Sequence, residues 1–244
     1  MRELTKQIAS EIERVFSGAG ISCVCCGAEL YSDAYLCVDC QNNLPFNVGE
    51  VCEKCGRAQA ERYPVCLECK AHMPAFHAAR SAFRYEGEIV RLIKKFKTGG
   101  KWLGAFFSAQ LLPLLLSEFS DADFLTCVPM TEQAYKKRGY NQSLVLAREL
   151  AERSGFRLEP SVLVKTRETA AQKYLSAKER AKNLTGCFRV HERTVCKGKK
   201  IVLVDDVMTT GATGSVLAQL LLGAGAERVD LLTVAGVRAP QSVR

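Results

Sequence analysis

The stretch Lys199–Val237, KKIVLVDDVMTTGATGSVLAQLLLGAGAERVDLLTVAGV, decides the fold. Ile201–Val204 is a β-branched and aliphatic run of the kind that fills a strand buried on both faces. Helical spacing follows over Gly214–Leu222, Gly223–Gly225 stops it, and Val229–Val237 resumes strand character. These parts make a βαβ unit whose loop lies at the carboxyl end of the first strand, the edge of an open parallel sheet where ligands bind. The loop, Thr209-Thr210-Gly211-Ala212-Thr213, offers small residues, hydroxyls and backbone amides at a helix N-terminus, which together cradle a phosphate dianion. Asp205 and Asp206 stand at the strand end just before it, placed to accept hydrogen bonds from vicinal sugar hydroxyls or to meet a hydrated Mg²⁺. An acidic strand end followed by a small-residue turn also arises by chance; the complete run from Ile201 to Thr213 is far more selective.

Upstream, eight of the twelve cysteines form four C-x-x-C pairs: Cys23/Cys26, Cys37/Cys40, Cys52/Cys55 and Cys66/Cys69. Ten residues separate Cys26 from Cys37 and Cys55 from Cys66, and the second set repeats the first at a constant shift of 29, which marks an internal duplication. A C-x-x-C turn brings two sulfurs to one point, and two such turns supply the four thiolates, at about 2.3 Å, of a closed structural zinc site. Gly27 and Gly56 follow the second cysteine of each leading pair and suit a tight knuckle. Two structural Zn²⁺ ions are therefore expected, against redox dithiols or unligated thiols. The simplest pairing is sequential, Cys23, Cys26, Cys37 and Cys40 on one ion and Cys52, Cys55, Cys66 and Cys69 on the other; an interleaved pairing stays open. Cys25, Cys127, Cys187 and Cys196 read as bystanders.

At 244 residues, with 48% hydrophobic and 25% charged residues, the chain has room for one α/β domain and a small module, and its balance excludes a fibrous or largely disordered protein. Met1–Phe16 mixes both charge signs and reads as an amphipathic helix rather than a signal peptide. Trp102–Ser117 contains Gln110 and Pro113 and falls short of the roughly 18 apolar residues of a membrane span, so a cytoplasmic protein is expected, where thiols stay reduced. The formal charge of +8 falls to about +4 once eight thiolates and two Zn²⁺ are counted. The remaining basic residues cluster, as at Lys94, Lys95, Lys97 and Lys101, and at Lys136, Lys137 and Arg138. Such clusters suit phosphates or nucleic acid, and equally suit solvated lysine faces.

Ile201–Thr213 resembles the phosphoribosyl pyrophosphate motif of type I phosphoribosyltransferases. With the cysteine octet added, Ser22–Val237 resembles the ComF family of competence proteins, through Phe83–Gly87, Val128–Met130, Arg138–Gln142 and Arg167–Phe188. The resemblance implies an α/β fold, a type I phosphoribosyltransferase-like parallel sheet flanked by helices, with a small N-terminal double zinc ribbon. The expected divisions are an amphipathic helix over 1–20, which falls outside the resemblance, the double ribbon over 21–74 and the phosphoribosyltransferase-like domain over 75–244. The resemblance also implies that phosphoribosyl pyrophosphate, with Mg²⁺, is held by the acids Asp205 and Asp206, the candidate catalytic pair, and by Met208, Thr209, Thr210, Gly211, Ala212 and Thr213. Val128, Pro129 and Met130, following a strand over Phe124–Cys127, would hold the pyrophosphate together with Arg138. A mobile hood is implied at Lys165–Asn183, with Lys165, Arg167, Gln172, Lys178 and Arg180 facing diphosphate charge, although a basic polar segment is also what a solvated helix and loop look like.

Three functions compete. Resemblance to the family implies DNA uptake in natural transformation and handling of single-stranded DNA, to which basic clusters and aromatics such as Phe83, Tyr85, Trp102, Tyr140 and Tyr174 would contribute unless they belong to the core. An active phosphoribosyltransferase acting on an unidentified nitrogen acceptor is the second, and no motif identifies its base pocket. The third is a scaffold whose ribbons dock a partner such as a helicase.

Overall fold

The computed structural model describes residues 22–32, 34–60, 63–167 and 186–238; the helix expected over 1–20 lies outside them. In chain order the elements are the short helices α1 (Val38–Asn43) and α2 (Leu67–Ala71), strand β1 (Ala79–Arg84), helices α3 (Gly87–Lys97) and α4 (Leu103–Glu118), and strand β2 (Phe124–Cys127). Helices α5 (Glu132–Arg138) and α6 (Gln142–Ser154) follow, then strands β3 (Leu163–Lys165) and β4 (Phe188–Val190) and the single turn α7 (Arg193–Cys196). The chain continues through β5 (Lys200–Met208), α8 (Ala212–Gly223) and β6 (Arg228–Gly236). Strands β1, β6, β5 and β2 lie side by side in that order and all run parallel, while β3 and β4 form a separate antiparallel pair.

The apolar run of β5 is unbroken because both of its faces are covered. Ile201 and Leu203 pack with Leu217, Ala218 and Leu221 of α8, while Val202 and Val204 pack with Phe106 and Phe107 of α4 and Leu146 and Leu150 of α6. All four β5 side chains are fully buried, each contributing about 1.5–3 kcal/mol relative to exposure. Helix α3 covers the same face as α4, with Ile89, Leu92, Ile93 and Phe96 buried along one stripe. Its last turn carries Lys94, Lys95 and Lys97, where cations complement the negative end of the helix.

The sheet register opens the site. Strand β2 ends with Cys127 beside Val204, whereas β6 continues pairing with β5 to Gly236 beside Met208. Asp205–Met208 is therefore strand, paired along one edge and open along the other. The acids lie inside β5 rather than beyond its end, because β6 is long enough to keep pairing with them.

The two cysteine ribbons straddle edge strand β1. Between them Phe46 forms an antiparallel bridge with Phe83, flanked by Asn47 N–H to Ala82 O at 2.9 Å and Arg84 N–H to Pro45 O at 2.8 Å, so the exposed edge of the sheet is covered. Cys23, Val24, Leu36 and Leu44 of the first ribbon join the core on the α4 face. The second ribbon's four cysteines join it on the α8 face.

Candidate functional site

The structure gathers the eight ribbon cysteines into the sequential fours, Cys23/Cys26/Cys37/Cys40 and Cys52/Cys55/Cys66/Cys69, with the sulfurs of each cluster all within 4.8 Å of one another. Zn–S bonds of about 2.3 Å in a tetrahedron require sulfurs about 3.8 Å apart. Cys26 Sγ and Cys37 Sγ are 3.8 Å apart, and Cys55 Sγ and Cys66 Sγ 3.7 Å, so the donor sets fit a closed tetrahedral metal site. Backbone amides turn toward the sulfurs as in a knuckle: Cys40 N–H to Cys37 Sγ at 3.4 Å, and Cys55 and Cys66 N–H to Cys52 Sγ at 3.4 and 3.3 Å. The clusters differ in exposure. All four cysteines of the second are buried, whereas Cys26 of the first is exposed. Cys25 is buried beside the first cluster without belonging to it, and Cys127, Cys187 and Cys196 are buried elsewhere.

At the carboxyl edge of the sheet, Gly211 caps α8 with φ +77°, a left-handed conformation that costs most L-residues about 1–2 kcal/mol. That turn reverses the chain between strand and helix, and Thr209, Thr210, Gly211, Ala212 and Thr213 line a shallow recess at the helix N-terminus. Ala212 N–H reaches Thr210 Oγ1 at 3.4 Å. Met208 is 3% exposed and forms part of the recess wall.

Beside the recess a cavity of about 380 Å³ has Asp205 and Asp206 in its wall together with Thr209 and Thr213. Asp205 Oδ1 accepts from Ser143 Oγ at 2.8 Å and from the Asp206 amide at 2.9 Å. Asp206 Oδ2 meets Lys97 Nζ at 2.9 Å. Burial and then the neighbouring Asp206 charge push the Asp205 carboxyl well above the usual range, against the pull of Ser143, the Asp206 amide and Lys97. Burial pulls the Lys97 ammonium down, yet the Asp206 carboxylate outweighs it and holds Lys97 above its ordinary value. The pair offers hard oxygen donors of the kind Mg²⁺ takes alongside substrate phosphates.

The opposite wall comes from the end of β2 and the motif Arg138–Gln142. Val128 and Pro129 line the cavity with Arg138; Met130, in the same turn, is half-buried and is not among its lining residues. Thr131 caps α5 through Ala134 N–H at 3.2 Å. Asn141 accepts from Ser143 and Leu144 N–H as the cap of α6 and donates to Val128 O at 3.0 Å, tying the two loops together. Gln142 Oε1 accepts from Arg138 Nη1 at 3.2 Å, and the Tyr140 hydroxyl donates to Phe96 O. Arg138 thus lines the same cavity as the acids, and Ser143, next after the motif, bonds Asp205 directly. Arg138 and Lys97 also border a second cavity, of about 680 Å³, with Lys137.

Of the residues expected to form a hood, Lys165 lies at the end of β3 and Arg167 two residues on, while Gln172, Lys178 and Arg180 fall outside the described residues. Lys165 Nζ sits 5.7 Å from the centroid of the Phe188 ring across the β3–β4 pair, and both line the 380 Å³ cavity. Among the aromatics, Phe83 is fully buried core, Tyr85 lines the cavity, and Trp102 is half-buried with Lys95 Nζ 4.9 Å from its ring centroid. Sequence reasoning missed Ser143 as the partner of Asp205, Lys97 as that of Asp206, and Arg57, whose Nη1 lies 3.4 Å from Thr209 O. No local pattern marks them, because each reaches the acids or the loop from an element distant in sequence.

Residues 140–244 match the family model of the phosphoribosyl transferase domain. The DNA utilization protein YhgH of Salmonella typhimurium is 30% identical over 221 residues, covering 80% of this chain and 94% of its own. The competence protein ComFC of Bacillus subtilis is 26% identical over 211 residues, covering 80% of this chain and 81% of its own. The competence protein F of Haemophilus influenzae is 24% identical over 218 residues, covering 81% and 95%. Among the described residues no helix is long and apolar enough to cross a membrane.

Proposed function

Since the chain belongs to the ComF family of competence proteins, we propose that it binds phosphoribosyl pyrophosphate, or a similar phosphoribose, with Mg²⁺, and acts in DNA uptake by handling the incoming single strand. One observation carries this reading: a left-handed glycine turn at the N-terminus of α8 opens beside two adjacent acids, with Lys97, Arg138 and Lys165 around the same cavity. The loop amides take the 5′-phosphate, Asp205 and Asp206 take the ribose hydroxyls, and Val128–Thr131 with Arg138 meets the diphosphate. Mg²⁺ would neutralise diphosphate charge. Two Zn²⁺ ions hold the double ribbon over 21–74, the phosphoribosyl domain follows over 75–244, and the protein works in the cytoplasm.

The basic cavity bordered by Lys97, Lys137 and Arg138 supports a path for a polyanion continuous with the ligand site. Thermal melting tests the phosphoribose reading. With Mg²⁺, phosphoribosyl pyrophosphate raises the melting temperature of the intact protein, and Asp205→Asn/Asp206→Asn loses the shift while keeping a cooperative transition. No shift in the intact protein contradicts it.

Phosphoribosyl transfer is a second reading, favoured by the extension of the cavity past the acids to Lys165 and Phe188, which leaves space for a nitrogen acceptor. The bond from C1′ to the pyrophosphate oxygen would break as a bond from C1′ to the acceptor nitrogen forms, with the acids and cations stabilising charge. Pyrophosphate release across a panel of bases tests it; no release with any base leaves binding alone.

A further inference from the structure

One buried side chain joins the second cysteine cluster to the phosphate loop. Arg57 lies two residues past Cys55 and is 3% exposed. Its Nε donates to Cys55 Sγ at 3.3 Å, its Nη2 pairs with Glu68 Oε2 at 2.8 Å, and its Nη1 donates to Thr209 O at 3.4 Å. The guanidinium is a rigid planar fork, so fixing two of its nitrogens fixes the direction of the third. In a planar trans peptide the carbonyl and the next amide point opposite ways. Holding Thr209 C=O toward Arg57 therefore turns Thr210 N–H away from the ribbon, and both threonines line the recess while Arg57 does not.

Further contacts brace the same loop from the same side. Ala75 N–H donates to Ser215 Oγ at 2.9 Å. Phe76, 1% exposed, lies against the loop so closely that a Cβ built on Gly211 would stand 3.4 Å from its ring, and one on Gly214 3.6 Å. The first cluster contacts the α4 face instead, as through Tyr35 and Phe106 with ring centroids 5.9 Å apart.

We propose that Arg57 is a positioning residue through which the metal-bearing second ribbon sets the orientation of the Thr209–Thr210 peptide, and so the readiness of the phosphate loop. A metal bonded to Cys55 Sγ pins the atom on which the fork is anchored. This rests on the phosphoribose reading for its consequence in binding, while the strut itself is measurable without ligand.

Hydrogen exchange of the unliganded, metal-loaded full chain, read by mass spectrometry over 209–215, separates the two. Arg57→Met keeps both metal ions and a cooperative melt, exchanges these amides at least tenfold faster, and binds Mg²⁺–phosphoribosyl pyrophosphate about tenfold more weakly. Arg57→Lys keeps the charge but not the fork and gives the same loss in smaller measure, which serves if the methionine variant does not fold. Cys26→Ser, which disturbs the first cluster, leaves exchange over 209–215 unchanged. Wild-type exchange over the loop in folded Arg57 variants, or loosening by Cys26→Ser equal to theirs, overturns the strut. Normal strut behaviour without ligand binding by the intact protein overturns the phosphoribose reading instead.

Discussion

Asp205 accepts two hydrogen bonds yet sits in a desolvated place beside a second carboxylate, and burial wins: its pKa rises from 3.8 to about 7. Over that interval the folded protein keeps a proton that the unfolded chain has released, so the carboxyl's contribution to stability is lost as pH climbs from about 4 to about 7. Asp205→Asn removes this pH dependence. Melting of both proteins between pH 4 and 8 should show the variant's advantage growing across the window and levelling off above pH 7, even as ligand binding disappears. A difference that is flat or shrinks with rising pH contradicts this assignment. At this scale the sequence showed what is contiguous: the two acids and the threonine–glycine turn lie within one short run, and local pattern finds them. Lys97, Ser143 and Arg57 come from α3, α6 and the second ribbon, and parallel connections bring them together from positions no spacing links.

Among the elements, the duplicated ribbons offer an internal comparison. Gly27 and Gly56 occupy equivalent places in the repeat, with φ of +78° and +65°. A Cβ on Gly27 meets nothing within 4 Å, whereas one on Gly56 would lie 2.2 Å from Ala79 O, because only the second knuckle is pressed onto β1. Gly27→Ala should cost about 1–2 kcal/mol, the left-handed penalty alone. Gly56→Ala adds a backbone clash and should cost about 1–3 kcal/mol more. Denaturant unfolding of metal-loaded protein measures both, and equal losses would contradict the docking described here. The repeat and its cysteine spacing were legible in the sequence, as was the βαβ unit, since both are written in short periods. Docking of the ribbons on opposite faces of the sheet was not, because it depends on the bridge between Phe46 and Phe83, residues separated by the whole second ribbon.

For the whole molecule, two cavities share Lys97 and Arg138, so the cavity that holds the two acids and a basic surface form one continuous region. If a single strand crosses it, affinity falls linearly on a logarithmic salt scale, and Lys137→Ala weakens binding and reduces the slope by roughly 0.7, the value for one phosphate contact on a single strand. Salt-independent affinity contradicts that path. Neither result bears on the loop at α8, where the account rests. Titrating phosphoribosyl pyrophosphate with Mg²⁺ into folded, metal-loaded protein in a calorimeter tests that loop most directly. Saturable heat with one site per chain, abolished in Asp205→Asn/Asp206→Asn, is the predicted result; no heat, or heat unchanged in that variant, would contradict it.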